Sequence, residues 1–207
     1  MEKKKLAILI RGQTANEFYS HKKYKKLDWK VYKSKYEEII KKYEENYEID
    51  VFIHTFESNY LNKEELLEFY CPKAYSFTIN PTKTDVKSQS LIGENIITSI
   101  RNVINLYFNY SEKHNQVHDM ILMMRYDCMP DIKTNLTLLD PNNYNVYGIF
   151  TKYNKLYSED NILFTSPYNL KKYYDVLLKT KPFSIGNLHW VIGHLDKQKI
   201  FDMKQNN

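Results

Sequence analysis

Two short runs of this chain are apolar at every position, and they limit the folds that it can adopt. Residues 6–10 (LAILI) and 120–124 (MILMM) have no polar face, which is typical of strands buried on both sides. Neither run is long enough to cross a membrane as a helix. Because strands buried on both faces need helices to cover them, the runs predict an α/β fold.

Strand and helix patterns alternate along the rest of the chain. Further strands are predicted at residues 51–56, 74–79, 146–150 and 162–165. Helices are predicted at residues 32–47, 62–70, 90–110 and 166–178. The apolar stripe expected on the longest helix consists of Ile92, Ile96, Ile100, Val103 and Tyr107. No repeat or linker divides the chain, so residues 1–207 are expected to form one domain with a mostly parallel central sheet and helices on both faces.

Charge and cysteine content narrow the classes of protein. A formal net charge of +5 suits an anionic ligand but is too small to coat a nucleic acid. Nucleic-acid binding by the lysine-rich stretch 22–35 stays open as an alternative, although mixed Lys and Glu are typical of a solvated helix face.

Cys71 and Cys128 form no metal-binding pattern, and we expect buried, reduced thiols. The lack of a long apolar segment predicts a cytoplasmic protein with no membrane span.

The common ligand-binding motifs are missing from the sequence. It contains no GxGxxG, GxxxxGK[ST], GxSxG or HExxH pattern. Dinucleotide binding by a glycine-rich turn, P-loop phosphate binding, serine hydrolysis and zinc proteolysis therefore have no basis in it.

Charged residues instead follow both apolar runs directly. Arg11 and Gly12 come after the first run, and Arg125, Tyr126 and Asp127 come after the second. The carboxyl ends of strands in open α/β sheets form ligand sites. A carboxylate there can hold a divalent cation, and an arginine can bind phosphate through two hydrogen bonds. A surface turn at the first site and an ion pair at the second explain the same residues without a ligand.

Four segments of the chain resemble small GT-A-type glycosyltransferases of bacteria and large DNA viruses. These segments are 6–12 (LAILIRG), 50–56 (DVFIHTF), 120–127 (MILMMRYD) and 159–166 (EDNILFTS). The resemblance implies a GT-A-like, Rossmann-like fold. It also implies transfer of a sugar from a nucleotide-diphosphate sugar, such as a UDP- or GDP-sugar, to a glycan or protein-linked glycan.

The resemblance and the strand ends together give a set of expected site residues. The predicted donor-binding residues are Arg11, Gly12, Arg101, Arg125, Tyr126 and Asp127. Asp160, with Glu159 beside it, is the candidate for the base that takes the proton of the acceptor hydroxyl, and an acidic loop in solvent is the alternative. Arg101 lies on the longest predicted helix, where it either reaches the donor from beneath or is an ordinary solvated or ion-paired residue.

The resemblance further implies Mn²⁺ or Mg²⁺ held by Asp127 and a late histidine, His194 in preference to His189. Arg125 stands where the usual Asp-x-Asp turn has its first aspartate, so metal dependence stays open. His54 is expected to be structural, and Trp190 could stack on a sugar. A catalytically inactive nucleotide-sugar or carbohydrate-binding domain is the main alternative to an enzyme.

Overall fold

The computed structural model of the chain describes residues 3–20, 23–79, 89–126, 145–152 and 155–179, with side chains at 3–14, 28–79, 95–126 and 162–178. Its strands are β1 (Lys4–Gly12), β2 (Ala15–Ser20), β3 (Lys23–Asp28), β4 (Tyr47–Phe56), β5 (Ala74–Thr78), β6 (Met120–Arg125), β7 (Asn145–Lys152) and β8 (Lys155–Thr165). Its α-helices are α1 (Lys33–Tyr43), α2 (Lys63–Tyr70), α3 (Gln89–His114) and α4 (Pro167–Lys179), and a 3-10 helix spans Trp29–Tyr32.

A six-stranded sheet with the order β5-β4-β1-β6-β8-β7 forms the centre of the described fold. The first four strands in this order are parallel, whereas β8 is antiparallel to β6 and β7 is antiparallel to β8. The predicted α/β class and mostly parallel sheet are confirmed, and the architecture is consistent with a Rossmann-like fold. Both strands at this edge, β8 and β7, were predicted, at 162–165 and 146–150, but their antiparallel pairing was not.

Helices cover both faces of the sheet, as predicted. On one face α1, α2 and the 3-10 helix pack on one set of strand side chains. On the other face α3 and α4 pack on the alternate set. Strand β1 lies inside the sheet, between β4 and β6, and helices cover both of its faces, which explains why residues 6–10 are apolar throughout.

Local capping groups fix the ends of two helices where the sequence predicted them. The Asn62 side chain accepts a hydrogen bond from the Glu65 amide at the start of α2 (3.1 Å), and Cys71 ends that helix with a left-handed φ of 43°. Ser166 Oγ accepts from the Asn169 amide at the start of α4 (3.3 Å). Cys71 is exposed rather than buried as expected, because it occupies this helix-ending position.

Two helices differ from their predicted extents. Helix α1 ends at Tyr43, and Tyr47 begins β4 instead of continuing the helix, because Tyr47 pairs with Lys4 of β1. Helix α3 runs to His114, and its buried apolar side chains are Ile97, Ile100, Val103, Ile104 and Tyr107. The buried positions 97, 100, 104 and 107 have the spacing of one helix face, and Ile96 beside it is only partly buried. The side chain of Ile92, also predicted for the stripe, lies outside the described residues.

The β2–β3 hairpin is a further element that the sequence patterns did not predict. It follows β1 directly, and its strands pair antiparallel from Ala15 opposite Asp28 to Ser20 opposite Lys23. None of the described helices is long and apolar enough to cross a membrane.

Candidate functional site

The candidate site lies where the chain changes direction in the sheet. After β1 the chain adds β4 and β5 on one side, and it then returns to place β6 on the other side of β1. In open α/β sheets the carboxyl ends of the two strands at such a switch point flank a crevice that binds ligands. The two strands here are β1 and β6, and Arg11 is in register with Arg125 at their carboxyl ends.

A row of polar residues crosses the sheet at this edge. His54 of β4 is in register with Arg11, and Arg11 with Arg125, so the three residues occupy neighbouring strands. Each of the three lies two positions after a residue that packs against α3, and residues two apart on a strand share a face. The reference residues are Phe52, Leu9 and Met123, so the row lies on the face covered by α3. The sheet therefore ends in a basic row beneath the amino-terminal half of α3.

Arg11 is a buried cation within this row. Its side chain is about 1% exposed, and its guanidinium donates a hydrogen bond to Ser99 Oγ on α3 (3.4 Å). Ser99 in turn donates to the Ile96 carbonyl (2.9 Å). A charge this deep is expensive to bury, so its place at a strand end, and not in the middle of the sheet, favours a role at the site. Arg125 is half-buried and lies closer to solvent.

His54 connects three elements of the fold beside Arg11. Asn102 Nδ2 on α3 donates a hydrogen bond to His54 Nε2 (3.0 Å), and Thr78 Oγ1 at the end of β5 lies 3.0 Å from the same nitrogen. Burial, with a smaller contribution from the Arg11 cation, lowers the pKa of His54 to about 4. The imidazole is therefore neutral near pH 7, and its Nδ1 atom is buried without a hydrogen-bond partner in the described part of the chain.

Gly12 ends β1 with a positive φ, where the chain leaves the sheet toward β2. Its φ is +104°, in a region that favours glycine. A Cβ atom at this position would meet nothing within 4 Å, so the demand is conformational and not one of space. Thr14 follows two residues later, where its Oγ1 lies 2.9 Å from Thr55 Oγ1 and its carbonyl accepts from the Trp29 amide (2.8 Å).

Tyr126 lies on the opposite face of the sheet from Arg125, within the apolar core. Its side chain is about 1% exposed and packs edge-on against Tyr70 with 5.7 Å between ring centroids. Burial raises the pKa of Tyr126 well above its usual value. Among the described residues, neither this hydroxyl nor that of Tyr70 has a hydrogen-bond partner. The side chain of Tyr126 is thus part of the core beneath the site, and its contact with a donor stays a prediction.

Arg101 links the two helices on the α3 face. Its guanidinium donates to the carbonyl of Leu177 in the last turn of α4. The final carbonyls of a helix lack partners within the helix, and a cation there also interacts favourably with the helix dipole. This contact gives Arg101 a structural role, and its predicted contact with the donor remains untested.

Glu159 and Asp160, predicted for the acceptor side, are residues of β8 at the same edge of the sheet, and their side chains lie outside those described. The last pair between β6 and β8 joins Met124 to Ile162, so Glu159 and Asp160 lie just beyond the end of β6. The β7–β8 register shifts between Tyr147 and Ile149, opposite this part of β8. Such irregularities are common next to active sites, where they redirect side chains.

The remaining predicted residues lie outside the part of the chain that the structure describes. They are Asp127, His189, Trp190 and His194. Within the described residues, no three His, Cys, Asp or Glu side chains come together as ligands for a metal ion.

A second buried polar cluster lies at the opposite, amino-terminal edge of the sheet, and sequence reasoning missed it. Asp50 of β4 is 3% exposed and accepts hydrogen bonds from Gln116 and His118, the latter with 3.1 Å between Asp50 Oδ2 and His118 Nε2. Lys73 Nζ lies 3.4 Å from Asp50 Oδ1. The acidic residue at the start of an apolar strand was the available signal. Because the cluster joins the entries to β4, β5 and β6, it stabilises the sheet and does not form part of the site.

Comparison with protein-family models and with curated proteins finds no match to this chain. The function must therefore be inferred from the residues at the carboxyl edge of the sheet.

Proposed function

We propose that the chain is a glycosyltransferase of the GT-A type, transferring a sugar from a nucleotide-diphosphate sugar to a hydroxyl group of a glycan acceptor. The observation that carries the proposal is the register of Arg11 with Arg125 at the switch point of the sheet. Two guanidinium groups on neighbouring strands suit a ligand with two adjacent phosphates. The resemblance of residues 6–12, 50–56 and 120–127 to such enzymes supports the same class.

The proposed reaction needs two kinds of help from the protein. The acceptor oxygen attacks the anomeric carbon, the bond from that carbon to the diphosphate oxygen breaks, and the nucleoside diphosphate leaves. Negative charge grows on the leaving oxygen, and Arg11 and Arg125 stabilise it. The acceptor hydroxyl loses its proton to a carboxylate, for which Asp160, with Glu159 beside it, is the proposed base.

A divalent cation was predicted from the resemblance, with Asp127 and His194 as its ligands. Hard cations prefer several carboxylate or carbonyl oxygens. The described residues at the site provide two arginines and a histidine whose Nε2 is already engaged, which is a poor set of ligands for such a cation. Any cation would therefore depend on Asp127 and His194, and it would supply charge stabilisation at the diphosphate.

The protein is proposed to act in the cytoplasm, as the sequence predicts.

Ligand-induced stabilisation tests the proposal directly. The melting temperature of the protein is measured with UDP-, GDP- and TDP-sugars, each with and without Mn²⁺, because a ligand that binds the native state raises it. We expect at least one nucleotide sugar to raise the melting temperature and Asp127→Ala to abolish any part of the rise that requires Mn²⁺. Asp175→Ala removes an exposed carboxylate of α4 and serves as the matched control.

Turnover separates the enzyme from its main alternative. Release of the nucleoside diphosphate from the bound donor, with a mixture of glycan acceptors, supports a transferase. Binding of the donor without release of the nucleoside diphosphate under all conditions supports the inactive nucleotide-sugar-binding domain. This alternative is tested because Arg125 replaces the first aspartate of the usual Asp-x-Asp turn. No stabilisation by any nucleotide sugar contradicts both.

A further inference from the structure

The two arginines at the switch point stand close enough to act on one ligand. Neighbouring strands lie about 5 Å apart, and Arg11 and Arg125 are in register on them. Each lies two positions after a strand residue that packs against α3, so both arginines are on the face of the sheet that α3 covers. A diphosphate at this edge would contact the half-buried Arg125, with the Arg11 cation, about 1% exposed, beneath it on the neighbouring strand.

The total charge of this pair equals that of a divalent cation. Each guanidinium stays charged at any physiological pH. Next to them, His54 is neutral near pH 7 and adds no charge. A guanidinium group has no acceptor atom, so neither arginine can serve as a ligand for a metal ion placed on the same row.

The row is also held in place before any ligand binds. Arg11 is buried and donates to Ser99 on α3, and His54 is fixed by Asn102 and Thr78. Charges fixed in advance stabilise a growing negative charge without the cost of reorganising them. Fixed in this way, the row can do what a bound cation does in an Asp-x-Asp site.

We propose that Arg11 and Arg125 neutralise the donor diphosphate in place of a divalent cation, so that this site binds and uses its donor without metal. This inference rests on the proposed function, since it assumes a nucleotide-diphosphate sugar as the ligand. Arg125 binds the diphosphate through forked hydrogen bonds that a lysine cannot reproduce, and the buried Arg11 adds its positive charge beneath.

Calorimetric titration of the whole chain tests the inference. UDP-glucose, GDP-mannose and inorganic pyrophosphate are titrated in buffer with EDTA and again in buffer with Mn²⁺. For the ligand that binds, we expect the two Kd values to agree within about threefold. Arg125→Gln should weaken binding in EDTA by about 10- to 100-fold, and Arg125→Lys should weaken it less.

Matched controls separate this effect from general loss of charge or fold. Lys113→Gln removes one exposed positive charge near the carboxyl end of α3, close to the amino-terminal edge of the sheet, and should leave Kd unchanged. Arg125 is preferred over buried Arg11 as the test position because its replacement disturbs the core less. Circular dichroism confirms that each variant is folded.

The possible outcomes have distinct meanings. Donor binding that requires Mn²⁺, or an Arg125→Gln variant that binds as tightly as Lys113→Gln, overturns the inference and leaves the proposed function standing. Binding of no nucleotide sugar under either condition overturns the proposed function itself. Metal-independent binding that is lost in Arg125→Gln supports both.

Discussion

The Nε2 atom of His54 on β4 lies 3.0 Å from the Nδ2 atom of Asn102 on α3. This hydrogen bond joins the carboxyl end of β4 to α3, the helix above the candidate site. Thr78 Oγ1, also close to His54 Nε2, extends the connection to β5. His54 is fully buried beside the Arg11 cation. A neutral imidazole is therefore a requirement of the fold at this edge, and its protonation should be unfavourable.

Stability should fall in mild acid because His54 resists protonation. Its pKa is about 4 in the folded chain and 6.5 as the ordinary value, so below pH 6.5 the unfolded chain binds the proton more readily. The stability that comes from keeping His54 neutral is complete above pH 6.5. It decreases as the pH falls and is fully lost below about pH 4. At pH 4.5 we expect a loss of about 2 to 3 kcal/mol in the free energy of unfolding from this residue. Urea denaturation at pH 7 and pH 4.5 measures it.

The variant His54→Gln provides the control for this effect. It lacks the titrating group, so its loss of stability between the two pH values should be smaller than that of the wild-type chain by the same amount. Burial also lowers the pKa of His118, and that residue is unchanged in both proteins. Equal losses in the two proteins would show that His54 is not the group responsible.

Asp50 should be essential for stability although it lies away from the site. Asp50→Asn removes a buried charge that accepts hydrogen bonds from Gln116 and His118 and contacts the half-exposed Lys73, and weakening hydrogen bonds to a charged group is expected to cost about 2 kcal/mol. Asp175→Asn, which breaks an exposed ion pair with Lys171, should cost less than about 0.5 kcal/mol. Chemical denaturation of both variants at pH 7 makes the comparison. Similar values for the two would contradict the stabilising role that we assign to Asp50 and its cluster.

Much of the central sheet could be predicted from short-range patterns. The runs at 6–10 and 120–124 are apolar on both faces only because β1 and β6 lie inside the sheet, and this signal is present in the sequence itself. The antiparallel pairing of β8 with β6 could not be read in the same way, because the direction of a strand depends on distant partners. Tyr47 shows the same limit, since its spacing from Tyr43 suits a helix while its partner Lys4 makes it a strand residue.

The candidate site was predictable in part. The positions of Arg11 and Arg125 at the ends of apolar runs predicted that both would lie at one edge of the sheet. Their alignment with each other depends on the register between β1 and β6, which no local pattern contains. The burial of Tyr126 was likewise hidden, because the residue after a strand end can turn toward solvent or toward the core.

The hydroxyl of Tyr126 should contribute nothing favourable to stability. It is buried with no hydrogen-bond partner among the residues that the structure describes. Tyr126→Phe therefore keeps the ring contact with Tyr70 and removes a polar atom that these residues leave unsatisfied. We expect the free energy of unfolding to stay equal or to rise by about 1 kcal/mol. Tyr126→Leu loses the aromatic packing and should be clearly less stable. A substantial loss in Tyr126→Phe, or weaker donor binding with unchanged stability, would mean that the hydroxyl has a partner, such as the donor itself.

Asp160 should control the chemical step and not the binding of the donor. It lies on β8 just beyond the last residue pair with β6, where the register with β7 shifts, and a base there can take the proton from the acceptor hydroxyl as the new bond forms. Asp160→Asn should lower kcat by about 100- to 10,000-fold, whereas the Kd for the nucleoside diphosphate should not change. Glu159→Gln is the matched control, because it makes the same chemical change one residue away, and we expect a loss of less than about tenfold. Steady-state transfer kinetics and calorimetry on the same preparations measure both quantities. If Glu159→Gln shows the larger loss of kcat, the base is Glu159, and if neither variant loses activity, this edge of β8 does not take part in the reaction.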